Sequence, residues 1–173
     1  MADQAARGLG GAPLPWGRAQ LERFMRQEAI RGEIIRPGAP TPTVASAAQA
    51  VGAAPDQILK TLLFLIRSEP VLAIASGQGY VDRAKLAAKY GVGKKQVKLA
   101  GAEQVLETTG YPVGAVPPFG HRRPLRTLID PGVMELEIVY AGGGEIDCLL
   151  RTSPEEILRA TGGEILALQR EEA

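Results

Sequence analysis

Between Asp56 and Arg67 the chain carries a single charge, set inside a mostly apolar run: Ile58-Leu59-Lys60-Thr61-Leu62-Leu63-Phe64-Leu65-Ile66. A run of this length, rich in branched and aromatic side chains, predicts a buried strand. Pro70 to Ala75 predicts a second, and the link Arg67-Ser68-Glu69 is short enough to make the pair a hairpin. In a strand, residue 60 shares its face with residues 58, 62, 64 and 66. An ammonium among apolar neighbours snorkels to solvent, loses its proton or meets an anion. Lys60 is therefore the residue that says most about what the chain does.

The rest of the chain alternates between short helices and short strands. Trp16 to Ile30 has helical spacing, with Leu21, Phe24 and Met25 on one face. Residues 37–42 hold three prolines and read as an extended loop. Thr43 or Ser46 caps a helix from about Ala45 to Val51, and Asp82 caps another that stops at Gly91. A helix over 102–108 follows. Strands are expected over 126–129, 134–140 and 145–150, the last two joined across Gly142-Gly143-Gly144. Ser153-Pro154-Glu155-Glu156 opens a helix with a cap, a proline and two acids in its first turn. Hairpins mixed with scattered helices predict an α+β fold around a mostly antiparallel, partly barrel-like sheet.

At 173 residues the chain suits one domain. We place it at 16–168, with a disordered N-terminal tail over 1–15 and a C-terminal tail over 169–173. No apolar run approaches the roughly 18 residues of a spanning helix, and the N-terminus has no apolar signal core. The expectation is a cytoplasmic protein with no membrane partner. One cysteine and one histidine exclude an internal disulfide and any cysteine- or histidine-rich metal cluster. No metal and no cofactor is expected. Net charge is only +1, yet residues 83–126 hold nine Lys and Arg against Glu103 and Glu107. Such a local excess is either the wet side of helices or a face that meets an anionic partner.

Gly114-Ala115-Val116-Pro117-Pro118-Phe119-Gly120-His121 is the second constellation. Prolines make it a rigid loop, and its glycines let backbone N–H groups approach an anionic or developing-oxyanion oxygen; an ordinary turn has the same composition. Gly77-Gln78-Gly79 lacks the third glycine of a dinucleotide loop, and no Gly-x-Ser-x-Gly elbow exists. His121, beside Arg122 and Arg123, reads as a surface or phosphate-facing residue. Cys148 reads as core, and Asp147 as a strand carboxylate directed either inward or outward.

Taken in order, these segments resemble the YbaK family, which includes the editing insertion of bacterial prolyl-tRNA synthetases. The front half is Thr43-Val44-Ala45, Ala47-Ala48, Gly52 and Ile58-Leu59-Lys60-Thr61-Leu62. The middle is Asp82 to Gly91, then Gly110-Tyr111-Pro112-Val113-Gly114 through Gly120. The end is Asp130, Ala141-Gly142 and the segment holding Asp147. The resemblance spans roughly 17–165. It implies a trans-editing hydrolase that removes a small wrong amino acid (Ala, Ser or Cys) from tRNA, with tRNA(Pro) as the expected substrate and prolyl-tRNA synthetase as a partner. It places Lys60 at the 3′-terminal adenosine and the family's Gly-Gly-x-Ser-Pro loop on 114–118. Alanine stands here for the second glycine and proline for the serine. An added methyl and a lost hydroxyl imply a tighter, drier pocket that favours alanine over serine.

The candidate catalytic residues are thus Lys60, Gly114 and Ala115. The candidate substrate-binding residues are Thr43, Thr61, Val116, Pro118, Gly120, His121 and Asp147. The candidate tRNA-binding residues are Lys85, Lys89, Lys94, Lys95, Lys98, Arg122 and Arg123. Two alternatives compete with the hydrolase: a non-catalytic binder of a tRNA 3′ end or nucleotide, and a partner module that docks on a synthetase.

Overall fold

The computed structural model describes residues 14–170. Helix α1 (Arg18–Gln27) leads into strand β1 (Gly32–Ile35), and helix α2 (Val44–Val51) into the hairpin of β2 (Leu59–Ile66) and β3 (Glu69–Ser76). Then follow α3 (Arg83–Tyr90), β4 (Val97–Leu99), α4 (Ala102–Thr109), β5 (Arg126–Ile129) and α5 (Pro131–Met134). The described chain closes with β6 (Val139–Gly142), β7 (Leu149–Thr152), α6 (Pro154–Thr161) and β8 (Glu164–Ile165). Helix starts follow side-chain caps: Thr43 accepts from the Ser46 N–H, Asp82 from Ala84 and Ser153 from Glu156.

The strands form two sheets, β1-β7-β6 and β4-β2-β3-β5-β8. The fold class is α+β, as expected. Four ladders are antiparallel, but β3–β5 and β5–β8 are parallel, so the larger sheet is mixed and open, not barrel-like. Lys60 sits on the expected face of β2. Phe64 and Ile66 on that face pack with Leu86 and Ala87 of α3. On the other face Leu59 and Leu63 join the main core with Leu21, Tyr111, Leu150 and Ile157.

Three expectations need correction. The strand expected over 134–140 starts only at Val139, because Asp130 caps a helical turn with Pro131 at its first position. The strand expected over 145–150 starts at Leu149, because the Cys148 N–H closes a turn onto the Glu145 carbonyl, 3.0 Å away. The tail expected from residue 169 is packed where it is described. Gln169 bridges to Val81, and the Arg170 N–H donates to Tyr80 O at 3.0 Å. At the other end, the expected disordered tail lies outside the described residues up to residue 13, while the Leu14 carbonyl accepts from Arg122 at 2.7 Å. Among the described residues no helix is long and apolar enough to cross a membrane.

Asp130 ties the closing segment to the sheet. Its buried carboxylate accepts from the N–H groups of Gly132 (2.9 Å), Leu168 (2.8 Å) and Gln169 (3.2 Å). Asp130→Ala leaves three donors without their acceptor and is expected to destabilise the fold by about 3 kcal/mol. Denaturant unfolding checks this; a loss below about 1 kcal/mol would show that the segment is not held by the carboxylate.

Candidate active site

The two sheets meet at the start of β2, where a parallel bridge joins Ile58 to Tyr140. β4 pairs only with residues 64–66. Among the described residues the β2 edge from Leu59 to Leu62 therefore has no strand beside it on this side. It walls a cleft of about 350 Å³. The other walls are residues 41–44 at the start of α2, Leu99 and Ala100, Val105 of α4, the loop residues Val113, Gly114 and Val116, and Tyr140, Ala141 and Gly142 of β6.

Lys60 is among the residues that line this cleft. Its ammonium donates to the Gly79 carbonyl and lies 5.7 Å from the centre of the Tyr80 ring, and both of these residues line a neighbouring hollow. Of the three outcomes open to it, snorkelling is the one found. Partial burial lowers its pKa below the ordinary lysine value. Among the described residues it has no carboxylate partner. Beside it, Thr61 also lines the cleft, and its hydroxyl oxygen is buried without a hydrogen-bond partner. Thr43 also lines the cleft, but its hydroxyl is engaged in capping α2.

The glycine loop supplies the facing wall, though not through the residues expected. Gly114 has φ of +90° and open space around it. Ala115 does not: it is fully buried, its φ is not positive, and its N–H donates to Pro112 O at 3.0 Å. It is therefore neither a free donor nor a cleft residue, and its methyl takes no space from the pocket. Pro117 also stands outside the cleft lining, so the tighter, drier pocket inferred from these two replacements has no basis in the geometry. Gly114 and Val116 line the cleft, and their N–H groups have no acceptor among the described residues. Val116 is clamped from behind: a Cβ on Gly142 would lie 2.1 Å from the Val116 carbonyl oxygen.

Other expected site residues fall elsewhere. Pro118, Gly120 and His121 face a separate hollow beside Phe24. His121 is half-buried against Tyr111, with Nε2 2.7 Å from the Pro117 carbonyl oxygen, so it is a loop brace and not a phosphate-facing residue. Asp147 is exposed in the turn before β7 and pairs with Arg36 at 3.5 Å; it does not reach the cleft. Glu145, Asp147 and Cys148 approach one another closely enough to hold an ion, but they are arranged around the Arg36 guanidinium. That group lies 2.9 Å from Glu145 and 3.5 Å from the Cys148 sulfur. Cys148 is core, as expected. The sequence reading missed Thr41, Pro42, Leu99, Val113 and Tyr140, which lie far apart in the chain and meet only through the fold. Of these, Leu99 and Val113 are exposed apolar side chains in the folded structure.

Burial pushes the His121 pKa down to about 4, opposed in part by the Pro117 carbonyl. A native value below the unfolded one means that the unfolded chain takes up its proton first as pH falls. Stability from neutral His121 is complete above about pH 6.5 and is lost as pH falls toward 4, with about 2 kcal/mol gone by pH 5. Unfolding titrations near neutrality and near pH 5 measure it, and His121→Gln should remove that part of the pH dependence. An unchanged slope in the variant would assign it to other groups.

Comparison with known proteins fits this geometry. Residues 38–160 match the family described as the aminoacyl-tRNA editing domain. A proline–tRNA ligase of Thermotoga neapolitana is 32% identical over 111 residues, 62% of this chain. The chain spans 14% and 18% of the length of two such ligases that it matches. A protein of Enterococcus faecalis, provisionally named a Cys-tRNA(Pro)/Cys-tRNA(Cys) deacylase, is 27% identical over 128 residues, covering 73% of this chain and 77% of its own. A solved structure described provisionally as a trans-editing enzyme for prolyl-tRNA synthetase superposes with a TM-score of 0.83. It is 31% identical and covers 89% of this chain and 97% of its own. The chain belongs to the aminoacyl-tRNA editing domain family.

Proposed function

We propose that the cleft between β2 and the 113–116 loop hydrolyses the ester of a small, wrongly attached amino acid on tRNA(Pro), acting in trans beside prolyl-tRNA synthetase in the cytoplasm. The observation that carries this reading is a single cationic side chain, Lys60, in the cleft lining together with Gly114 and Val116, whose N–H groups have no acceptor among the described residues. An aminoacyl ester is already activated, so its hydrolysis needs a placed water and a stabilised oxyanion more than a strong nucleophile. Lys60 neutralises the phosphate side of the 3′-terminal adenosine. Gly114 and Val116 donate to the oxygen that becomes negative as water adds to the carbonyl carbon. The ester C–O bond then breaks, leaving a free amino acid and a ribose hydroxyl.

The cleft wall holds no carboxylate and no imidazole among the described residues. The proton of the attacking water therefore passes to the substrate's own oxygens, ending on the ribose hydroxyl that leaves. A mostly apolar cleft of this size selects by exclusion. Synthetic sites separate one methylene by only about 1–3 kcal/mol, which is why a second sieve is needed.

The test is a time course of the pure protein with tRNA(Pro) carrying alanine, serine, cysteine or proline. Loss of a small residue with retention of proline is expected. Tight binding without release of any amino acid would instead assign the site to a non-catalytic binder. Activity only when the synthetase is present would make the chain a docking module.

A further inference from the structure

We propose that a second, basic hollow formed by Arg67, Arg123 and Arg126 around Tyr90 seats backbone phosphates of the tRNA acceptor stem; this rests on the editing function proposed above. The hollow, about 440 Å³, lies at the far end of the β2–β3 hairpin from Lys60. Arg67 comes from the hairpin turn, Tyr90 from the end of α3, and Arg123 and Arg126 from the approach to β5 and its first residue.

The structure sorts the basic residues of this protein into two groups. Lys85 donates to the Gln169 carbonyl, Lys89 pairs with Glu164, and Arg122 reaches the Leu14 carbonyl while lying 5.5 Å from the centre of the Trp16 ring. These three are engaged in the protein's own fold. Arg67, Arg123 and Arg126 are exposed and make no ion pair among the described residues, although Glu69 borders the same hollow. Arg126 is held 5.6 Å from the centre of the Tyr90 ring, and the Tyr90 hydroxyl is buried without a hydrogen-bond partner. Three exposed guanidinium groups around one hollow attract an anionic partner. Their planar forks match phosphate oxygens.

The route from this hollow to the cleft is built from β4. Ile66, at the hollow, pairs with Val97, and Phe64 pairs with Leu99, which lines the cleft. Lys94 and Lys95 stand just before that strand and Lys98 on it, all exposed. Lys60 and Ile66 are six strand residues apart, about 20 Å. A short single-stranded 3′ end bridges such a gap, so a tRNA whose terminal ester lies in the cleft brings its first paired phosphates to the arginines. A free nucleotide would occupy one end only and leave the lysines unused.

The test uses the intact protein and the double variant Arg67→Glu with Arg123→Glu. Neither side chain has a hydrogen-bond or ion-pair partner in the described structure, so the unfolding midpoint should be unchanged. Binding of uncharged tRNA is measured against salt, a readout that does not depend on hydrolysis. We expect affinity to fall tenfold or more and the slope of log K against log salt to shrink by about 2, one for each lost phosphate contact. Hydrolysis of a short aminoacyl-adenosine mimic should be unaffected. Unchanged tRNA binding in the variant would overturn the proposal, as would equal damage to both substrates. AMP bound as tightly as tRNA, and lost with the same substitutions, would overturn it in favour of a nucleotide site. If the charge reversals lower the midpoint, Arg67→Gln with Arg123→Gln must reproduce the reduced salt slope or the proposal fails. Wild-type protein that binds tRNA through these arginines yet hydrolyses nothing would reject the editing reading and leave the phosphate seat standing.

Discussion

Lys60→Ala is expected to lower kcat/KM for deacylation by about 10²-fold or more, on both mischarged tRNA and a short aminoacyl-adenosine mimic, with little change in unfolding midpoint. The size of the effect follows from the composition of the cleft, where Lys60 is the one cationic side chain in the lining. The small effect on stability follows from what the ammonium does at rest. It donates to a single carbonyl, that of Gly79, and to no carboxylate among the described residues. Water can replace it there. The division of the loss identifies the role. A raised KM assigns Lys60 to phosphate binding, and a lowered kcat to the reacting ester. Lys60→Arg keeps the charge but changes its reach, so partial recovery is expected for phosphate binding. Near-normal turnover of Lys60→Ala, or simple unfolding of it, would remove Lys60 from the site.

The strongest features of the fold were legible because each rests on local chemistry. Thr43, Asp82 and Ser153 are caps whose side chains find their own backbone partners within a few residues. The β2–β3 hairpin follows from two apolar runs and a short turn. β1, β4 and β8 have four, three and two residues, too few for any periodicity to show, and two of the three are edge strands of the larger sheet. At the site, Lys60 was legible as a charge in the wrong company. Asp147 and His121 misled because polarity in a sequence does not reveal a partner. Arg36 takes the first, from 111 residues earlier in the chain, and the Pro117 carbonyl holds the second. Ala115 misled in the opposite sense. A replaced glycine looks like an altered pocket, yet the side chain faces the core, and the positive φ stays at Gly114. The basic face was half legible: the excess of charge in 83–126 is real, but only the fold shows which cations are already engaged.

Gly142→Ala is expected to damage stability and turnover together, and more severely than a single methyl ordinarily does. Gly142 ends β6 and pairs with Leu149, with the backbone of the 115–116 loop stacked against it. A Cβ there would lie 2.1 Å from the Val116 carbonyl oxygen, 2.6 Å from its carbonyl carbon and 3.0 Å from that of Ala115. All three are backbone atoms, so no side chain can rotate away. Either β6 shifts, against its ladder to β7, or the loop shifts. The loop is pinned as well: the Gly144 N–H donates to the Ala115 carbonyl at 2.9 Å and the Ala115 N–H to Pro112. Overpacking of this kind costs about 3 kcal/mol, a Tm lower by about 6–12 °C for a chain of this size. Whichever element yields, the Val116 N–H moves relative to Lys60 across the cleft. A displacement near 1 Å of a group that binds the oxyanion costs about 10²-fold in rate. Gly38→Ala is the control, since nothing lies within 4 Å of its added Cβ, and it should match the wild type in both measurements. Turnover must be read well below the lowered Tm, so that the rate refers to folded protein. A Gly142→Ala variant with wild-type Tm would show that the loop is not clamped. A lowered Tm with wild-type turnover would keep the clamp and remove the Val116 N–H from the chemistry.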